Sequence, residues 1–193
     1  MVECLLAKED AVGSSPIRRF KFNIDNFFVS SLPKGQRMKI GDFLCNEAIA
    51  IDLKGINKKD VIQELVGLLA EAGELEKKNK AKLIDILLTR EALGSTAIGQ
   101  GVAIPHGKCE FVPKLVAALG ISKKGVDFDS LDGEPAYIFF LLVAPIDSAG
   151  PHLKALARIS HILKDRYFRE HLRQAKDEKV ILKLISQADE RSL

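Results

Sequence analysis

A chain of 193 residues, 47% of them hydrophobic and 28% charged, is long enough for one globular domain plus an appendage. A formal net charge of +3 gives no concentrated basic face, so nucleic acid is not an expected partner. The longest apolar run, Tyr137 to Ile146, falls short of the ~18 residues a membrane span requires and reads as a buried strand, so no membrane insertion is expected.

Residues 1–37 are punctuated by turn formers (Ser14-Ser15-Pro16, Ser30-Ser31, Pro33-Lys34-Gly35) and show no sustained apolar period. They are expected to be a disordered N-terminal extension, with a docking tail around Phe27, Phe28 and Val29 as the functional alternative. Glu3, Glu9 and Asp10 without a basic flank exclude a secretory signal, and a cytoplasmic location is expected. Cys4, Cys45 and Cys109 are scattered and odd in number, which fits reduced thiols better than zinc or a disulfide framework.

The folded unit is expected over residues 38–193. Ala48 to Leu53 predicts a short strand. Lys59 to Glu71 places Val61, Ile62, Leu65, Val66, Leu68 and Leu69 on one helical stripe that Gly73 can end. A second helix spans about Glu76 to Glu91, with Leu83, Ile84, Leu87 and Leu88 inward. Gly94, Gly99 and Gly101 then break the chain before the strand Val102-Ala103-Ile104, which stops at Pro105. Strands follow at Val116 to Ile121 and Tyr137 to Val143. Beyond Gly150 the chain is helical, with Leu153, Leu156, Ala157, Ile159, Ile162 and Leu163 on the first apolar stripe, then segments at Phe168–Leu172 and Val180–Ile185. The order predicts an α/β sandwich, a mixed sheet with helices on both faces.

The chemistry centres on His106, which follows Pro105 at a strand end. Proline fixes its own φ and biases Ile104 toward extended geometry, and Gly107 is expected to clear space for an incoming partner. A neutral imidazole is a nucleophile near pH 7, and the proton on its other nitrogen can fix the tautomer. A transferred phosphoryl group needs donors on its oxygens. Arg90 at the end of the second helix, His152 in the first turn of the next, and Ser95 and Thr96 in the glycine loop are candidates. Each has a plainer reading: Arg90 as a helix C-terminal cation, His152 as an ordinary polar residue, the glycines as turns. His161 is out of phase with His152, and His171 sits among charged neighbours and looks solvated. Gly99-x-Gly101 lacks the rest of a dinucleotide fingerprint and no P-loop lysine follows. His106 and Cys109 alone do not make a metal site, so neither metal nor cofactor is expected.

The run from Leu88 to Lys108, LTREALGSTAIGQGVAIPHGK, closely resembles the active-site signature of the fructose/mannitol-type EIIA domains of the bacterial phosphoenolpyruvate phosphotransferase system, and within them the nitrogen-regulatory EIIA proteins. Glu91, Ile98, Gly99, Val102, Ala103, Ile104, Pro105, His106 and Gly107 fall in the family's spacing. A second block, Leu141 to Pro145 followed by His152-Leu153-Lys154-Ala155-Leu156, matches its second conserved region. The resemblance covers about residues 38–188. It implies a mixed, mainly parallel sheet, with His106 the phosphorylated histidine, His152 the second active-site histidine and Arg90 the basic residue beside them. One departure is Ala97, where relatives usually carry glycine. If that position needs a positive φ, alanine carries about 1 kcal/mol of strain.

The resemblance further implies a phosphotransferase component loaded by an HPr/NPr-like phosphocarrier. It would then act as a regulator whose phosphorylation state is read by sensor kinases or potassium transport components. A sugar-uptake subunit passing phosphate to an EIIB domain for fructose or mannitol is the second reading. A binding module without phosphorylation is the third, and intact Arg90, His106 and His152 argue against it.

Overall fold

The computed structural model describes residues 38–191. The expectations for residues 1–37, including the extension, the docking tail and Cys4, lie outside the described residues. After a 3-10 turn at Ile40–Asp42, the first strand is β1 (Leu44–Ala50). Helix α1 (Lys58–Glu71) begins at Asn57, whose side chain accepts the Asp60 amide. Gly73, at φ 79°, lets the chain turn so that the Glu74 amide reaches the Leu69 carbonyl at 3.0 Å. The expected second helix divides into a 3-10 turn (Lys77–Asn79) and α2 (Lys80–Ala92). Strands β2 (Ala97–Gly99), β3 (Val102–Ala103), β4 (His106–Cys109), β5 (Val116–Val126) and β6 (Ala136–Pro145) follow. Helices α3 (Ala149–Leu163), α4 (Arg166–Arg173) and α5 (Glu178–Arg191) complete the described chain.

The six strands form one mixed sheet in the order β1-β5-β6-β3-β2, with β4 also on β6. Pairing is parallel for β1 with β5 and for β3 and β4 with β6. The longest ladder, β5 with β6, is antiparallel. Alternation along the strands sends successive side chains into two cores. Phe139, Leu141 and Val143 of β6, with Val116 and Ala118 of β5, join α1 and α2 residues such as Ile62, Leu65, Leu83 and Leu87. Ile138, Phe140 and Leu142, with Ala117, Leu119 and Ile121, join Ala155, Ile159, Leu172, Ile181 and Ile185 from α3, α4 and α5. Helices thus cover both faces.

Three expectations are corrected here. The strand broken by Pro105 resumes: Ala103 pairs with Phe139 and His106 with Leu142, the same offset, so β3 and β4 are one interrupted strand. Proline lacks an N–H, but its carbonyl still accepts the Leu142 amide at 2.9 Å and carries the register across. Ala97 is not strained, because it lies in β2 opposite Ala103. Between β2 and β3 the positive φ values fall on Gly99, Gln100 and Gly101 (87°, 56° and 77°), where the Gln100 amide is held by Asp132 Oδ2 at 2.6 Å. Leu153, expected inward, is exposed. His152 takes the inward position, and the buried line of α3 runs His152, Ala155, Ile159, Ile162, Leu163.

Candidate active site

His106 opens β4, with its ring on the α3 side of the sheet. Gly107 faces the other way. A Cβ there would stand 3.2 Å from Ile86 and 3.3 Å from Leu87 of α2. Its glycine therefore serves helix–strand packing and does not open space for a partner, which corrects the expectation above. Cys109, on the same side as Gly107, is buried in the α1–α2 core, and burial pushes its thiol pKa up.

The His106 ring lies 5.6 Å from the His152 ring, centroid to centroid, at an interplanar angle of 52°. His106 Nδ1 is 2.8 Å from the Ile104 carbonyl oxygen. A carbonyl can only accept, so Nδ1 carries the proton and Nε2 keeps its lone pair. Burial lowers the His106 pKa. Arg90 lowers it further, while the bond to Ile104 and the Glu91 charge oppose that. The ring is thus neutral near pH 7, the state a nucleophile requires.

His152, the fourth residue of α3, is buried, and its Nε2 has no hydrogen-bond partner among the described residues. Burial, then the neighbouring His106 and Lys108, pushes its pKa down to about 4. The α3 N-terminus adds its own donors: the amides of Ala149 and Gly150 belong to the first turn, which has no intrahelical acceptor for them.

Arg90 reaches His106 electrostatically, but its Nη1 donates to the Gly94 carbonyl at 3.0 Å and so also ties down the end of α2. Ser95 and Thr96 are placed differently from the expectation. The Ser95 hydroxyl donates to the Phe128 carbonyl and accepts the Ala97 amide. The Thr96 hydroxyl and amide both donate to Glu91 Oε2, at 2.6 and 2.9 Å. Both hydroxyl protons are taken by Phe128 and Glu91, outside the glycine loop, so neither faces an oxyanion in this arrangement. His161 is exposed and out of phase with His152 on α3, and His171, exposed on α4, donates from Nδ1 to the Tyr167 carbonyl at 2.7 Å.

Sequence reasoning assigned no role to Lys58 or Lys108 and left Glu91 as a family position only. Glu91 is a buried carboxylate whose Oε1 accepts Lys58 Nζ at 2.9 Å, and Lys58 also pairs with Asp129 at 2.7 Å. Burial disfavours the Lys58 charge, yet the bonds to Asp129 and Glu91 outweigh it and hold the ammonium above its ordinary pKa. The signal for Glu91 was present: an acid directly after Arg90, with a threonine five residues on. Lys58 had none, because its partner is 33 residues away.

Residues 42–188 match the family model described as phosphoenolpyruvate-dependent sugar phosphotransferase system, EIIA 2. The chain belongs to this family. A nitrogen regulatory protein of Bradyrhizobium diazoefficiens is 41% identical over 149 residues, 77% of this chain and 95% of that protein. The fructose-specific EIIABC component of Bacillus subtilis is 39% identical over 79% of this chain, which spans only 24% of that longer protein. The crystal structure of IIA-Ntr from Neisseria meningitidis superposes on this EIIA 2 domain with a TM-score of 0.69. It is 32% identical, over 76% of this chain and 98% of that one. The mannitol IIA of Escherichia coli, at 23% identity and a TM-score of 0.62, shares the fold. An EIIA 2 member is a phosphotransfer carrier, and the mixed sheet with helices on both faces is the fold of these relatives. Among the described residues no helix is long and apolar enough to cross a membrane.

Proposed function

We propose that this EIIA 2 domain carries a phosphoryl group on Nε2 of His106, received from the phosphohistidine of an HPr/NPr-like carrier protein. The observation that carries the reading is the Nδ1–H bond to the Ile104 carbonyl, which leaves Nε2 as the nucleophile beside the His152 ring. In the step, the Nε2 lone pair forms the new P–N bond. The donor's P–N bond breaks with its electron pair returning to the donor ring nitrogen, and the His106 proton stays on Nδ1. His152 Nε2, the α3 N-terminal amides and Arg90 are the groups we assign to the phosphoryl oxygens. The exposed apolar Leu93, Ile146 and Leu153 lie within three residues in sequence of Arg90, the start of α3 and His152, where a carrier would dock.

The phosphorylated and free forms would then be read by regulatory partners, of the sensor-kinase or potassium-transport kind. Similarity to the nitrogen regulatory protein over nearly that protein's whole length favours this. Transfer onward to an EIIB domain is the second reading, favoured by the comparable identity to the fructose EIIABC component. Incubation with phosphoenolpyruvate, enzyme I and the carrier should label the wild-type chain, and His106→Ala should take no label. Label persisting in that variant would remove His106 from the role. Onward transfer of the label to an isolated fructose EIIB domain would favour transport over regulation.

A further inference from the structure

We propose that Glu91, held by Lys58, is a positioning residue that decides which nitrogen of His106 is the nucleophile. The proposal rests on the reading that His106 accepts phosphate at Nε2. It stands on one continuous line of hydrogen bonds. Lys58 Nζ donates to Glu91 Oε1 at 2.9 Å, and Glu91 Oε2 accepts both the amide and the hydroxyl of Thr96. The Thr96 carbonyl accepts the Ile104 amide at 3.0 Å, and the Ile104 carbonyl accepts His106 Nδ1–H at 2.8 Å.

Ile104 occupies the gap between β3 and β4 that Pro105 creates. Its N–H turns to Thr96 and its carbonyl to His106, so the residue that orients the ring is steadied from the Glu91 side. The anchor is strong because it is charged at both ends and shielded: Glu91 is 6% exposed and its carboxylate faces an ammonium. Phe128 underlies that ammonium, its ring centroid 5.2 Å from Nζ, and Asp129 completes the cation's partners. Three of the four carboxylate contacts on this line belong to Glu91, and none touches the phosphoryl acceptor. Glu91 therefore acts through Thr96 and Ile104, and its loss should free the ring to exchange tautomers.

The test uses the full chain with Glu91→Gln, Lys58→Met, Thr96→Val and Thr96→Ser. Nitrogen-15 ring spectra of the unphosphorylated protein report the His106 tautomer, and transfer of label from the phosphorylated carrier gives the rate and its pH profile. Wild type and Thr96→Ser should hold the Nδ1–H form. Glu91→Gln, Lys58→Met and Thr96→Val should populate the Nε2–H form and transfer about tenfold more slowly, the rate equivalent of one charge-assisted hydrogen bond. A His106 tautomer unchanged in Glu91→Gln, or Thr96→Val behaving as Thr96→Ser does, would overturn the proposal. If Glu91→Gln fails to fold, the two threonine variants decide. Absence of label in wild type would strike the phosphoryl reading instead, and the ring spectra, recorded without any donor, keep the two failures apart.

Discussion

His152 is an uncharged ring at neutral pH, and its environment makes the charged form costly. Its folded pKa of about 4 lies below the ordinary value of 6.5, so the unfolded chain binds more protons between those values. Stability from this residue is complete above about pH 6.5 and is lost as the pH falls toward 4, by at most about 3 kcal/mol. His106, lowered in the same direction, adds to the same slope. Urea unfolding across that window should therefore steepen with acid, and His152→Gln should flatten the dependence. An unchanged slope would show that His152 is not the buried neutral group described. In the phosphorylated protein the added negative charge should raise the His152 pKa, visible as a shifted proton NMR titration. At this scale the residues by themselves made His106 a candidate and left His152 with an ordinary polar reading, because nothing local shows that α3 brings the two rings to 5.6 Å. Ser95 and Thr96 misled because a hydroxyl in a glycine loop carries no mark of the partner that has already claimed it.

Elements are tied together by side chains that the pattern of apolar residues does not report. Asp189 of α5 is buried. Its Oδ1 accepts the Ile40 amide and the Arg158 guanidinium of α3, and its Oδ2 accepts the Gly41 amide. One carboxylate thus joins the 3-10 turn, α3 and α5. Asp189→Ala should lower stability by about 3–5 kcal/mol, because it leaves Arg158 buried without its anion, and chemical denaturation measures it. Gly120 of β5 joins elements by lacking a side chain, since Leu53 packs against its backbone. A Cβ there would stand 2.5 Å from Leu53, so Gly120→Ala should cost about 1–3 kcal/mol, read as a fall in Tm. Helices α1 and α2 were legible because their apolar stripes recur over several turns. Strands β2 and β4 were not, since they are only three and four residues long and hold through β3 and β6, partners that a local pattern cannot name. The start of β1 was read late for a related reason: Asn46 and Glu47 interrupt its apolar run, and the pairing with β5 shifts register between Leu44 and Ile49.

For the folded unit as a whole, β5 and β6 form the spine, with neighbours on both sides and helices on both faces. Amide hydrogen exchange should be slowest at Leu119 and Phe140, which are paired and fully buried, and faster in the loop carrying Leu131 and Asp132. Slow exchange confined to the helices would contradict this arrangement. The layering was legible from strand–helix order, but the antiparallel central ladder was not, because a hydrophobic run looks the same in either direction.

The interrupted strand sets how tolerant this stretch is to insertion and deletion. His106 and Lys108 face one layer, while Gly107 and Cys109 face the other. Deleting one residue between Ala103 and His106 would exchange the two sets. The imidazole would be driven into Ile86 and Leu87, and a glycine would be left opposite His152. Length in this segment is thus as constrained as identity, and a two-residue change would restore the facing while a one-residue change could not.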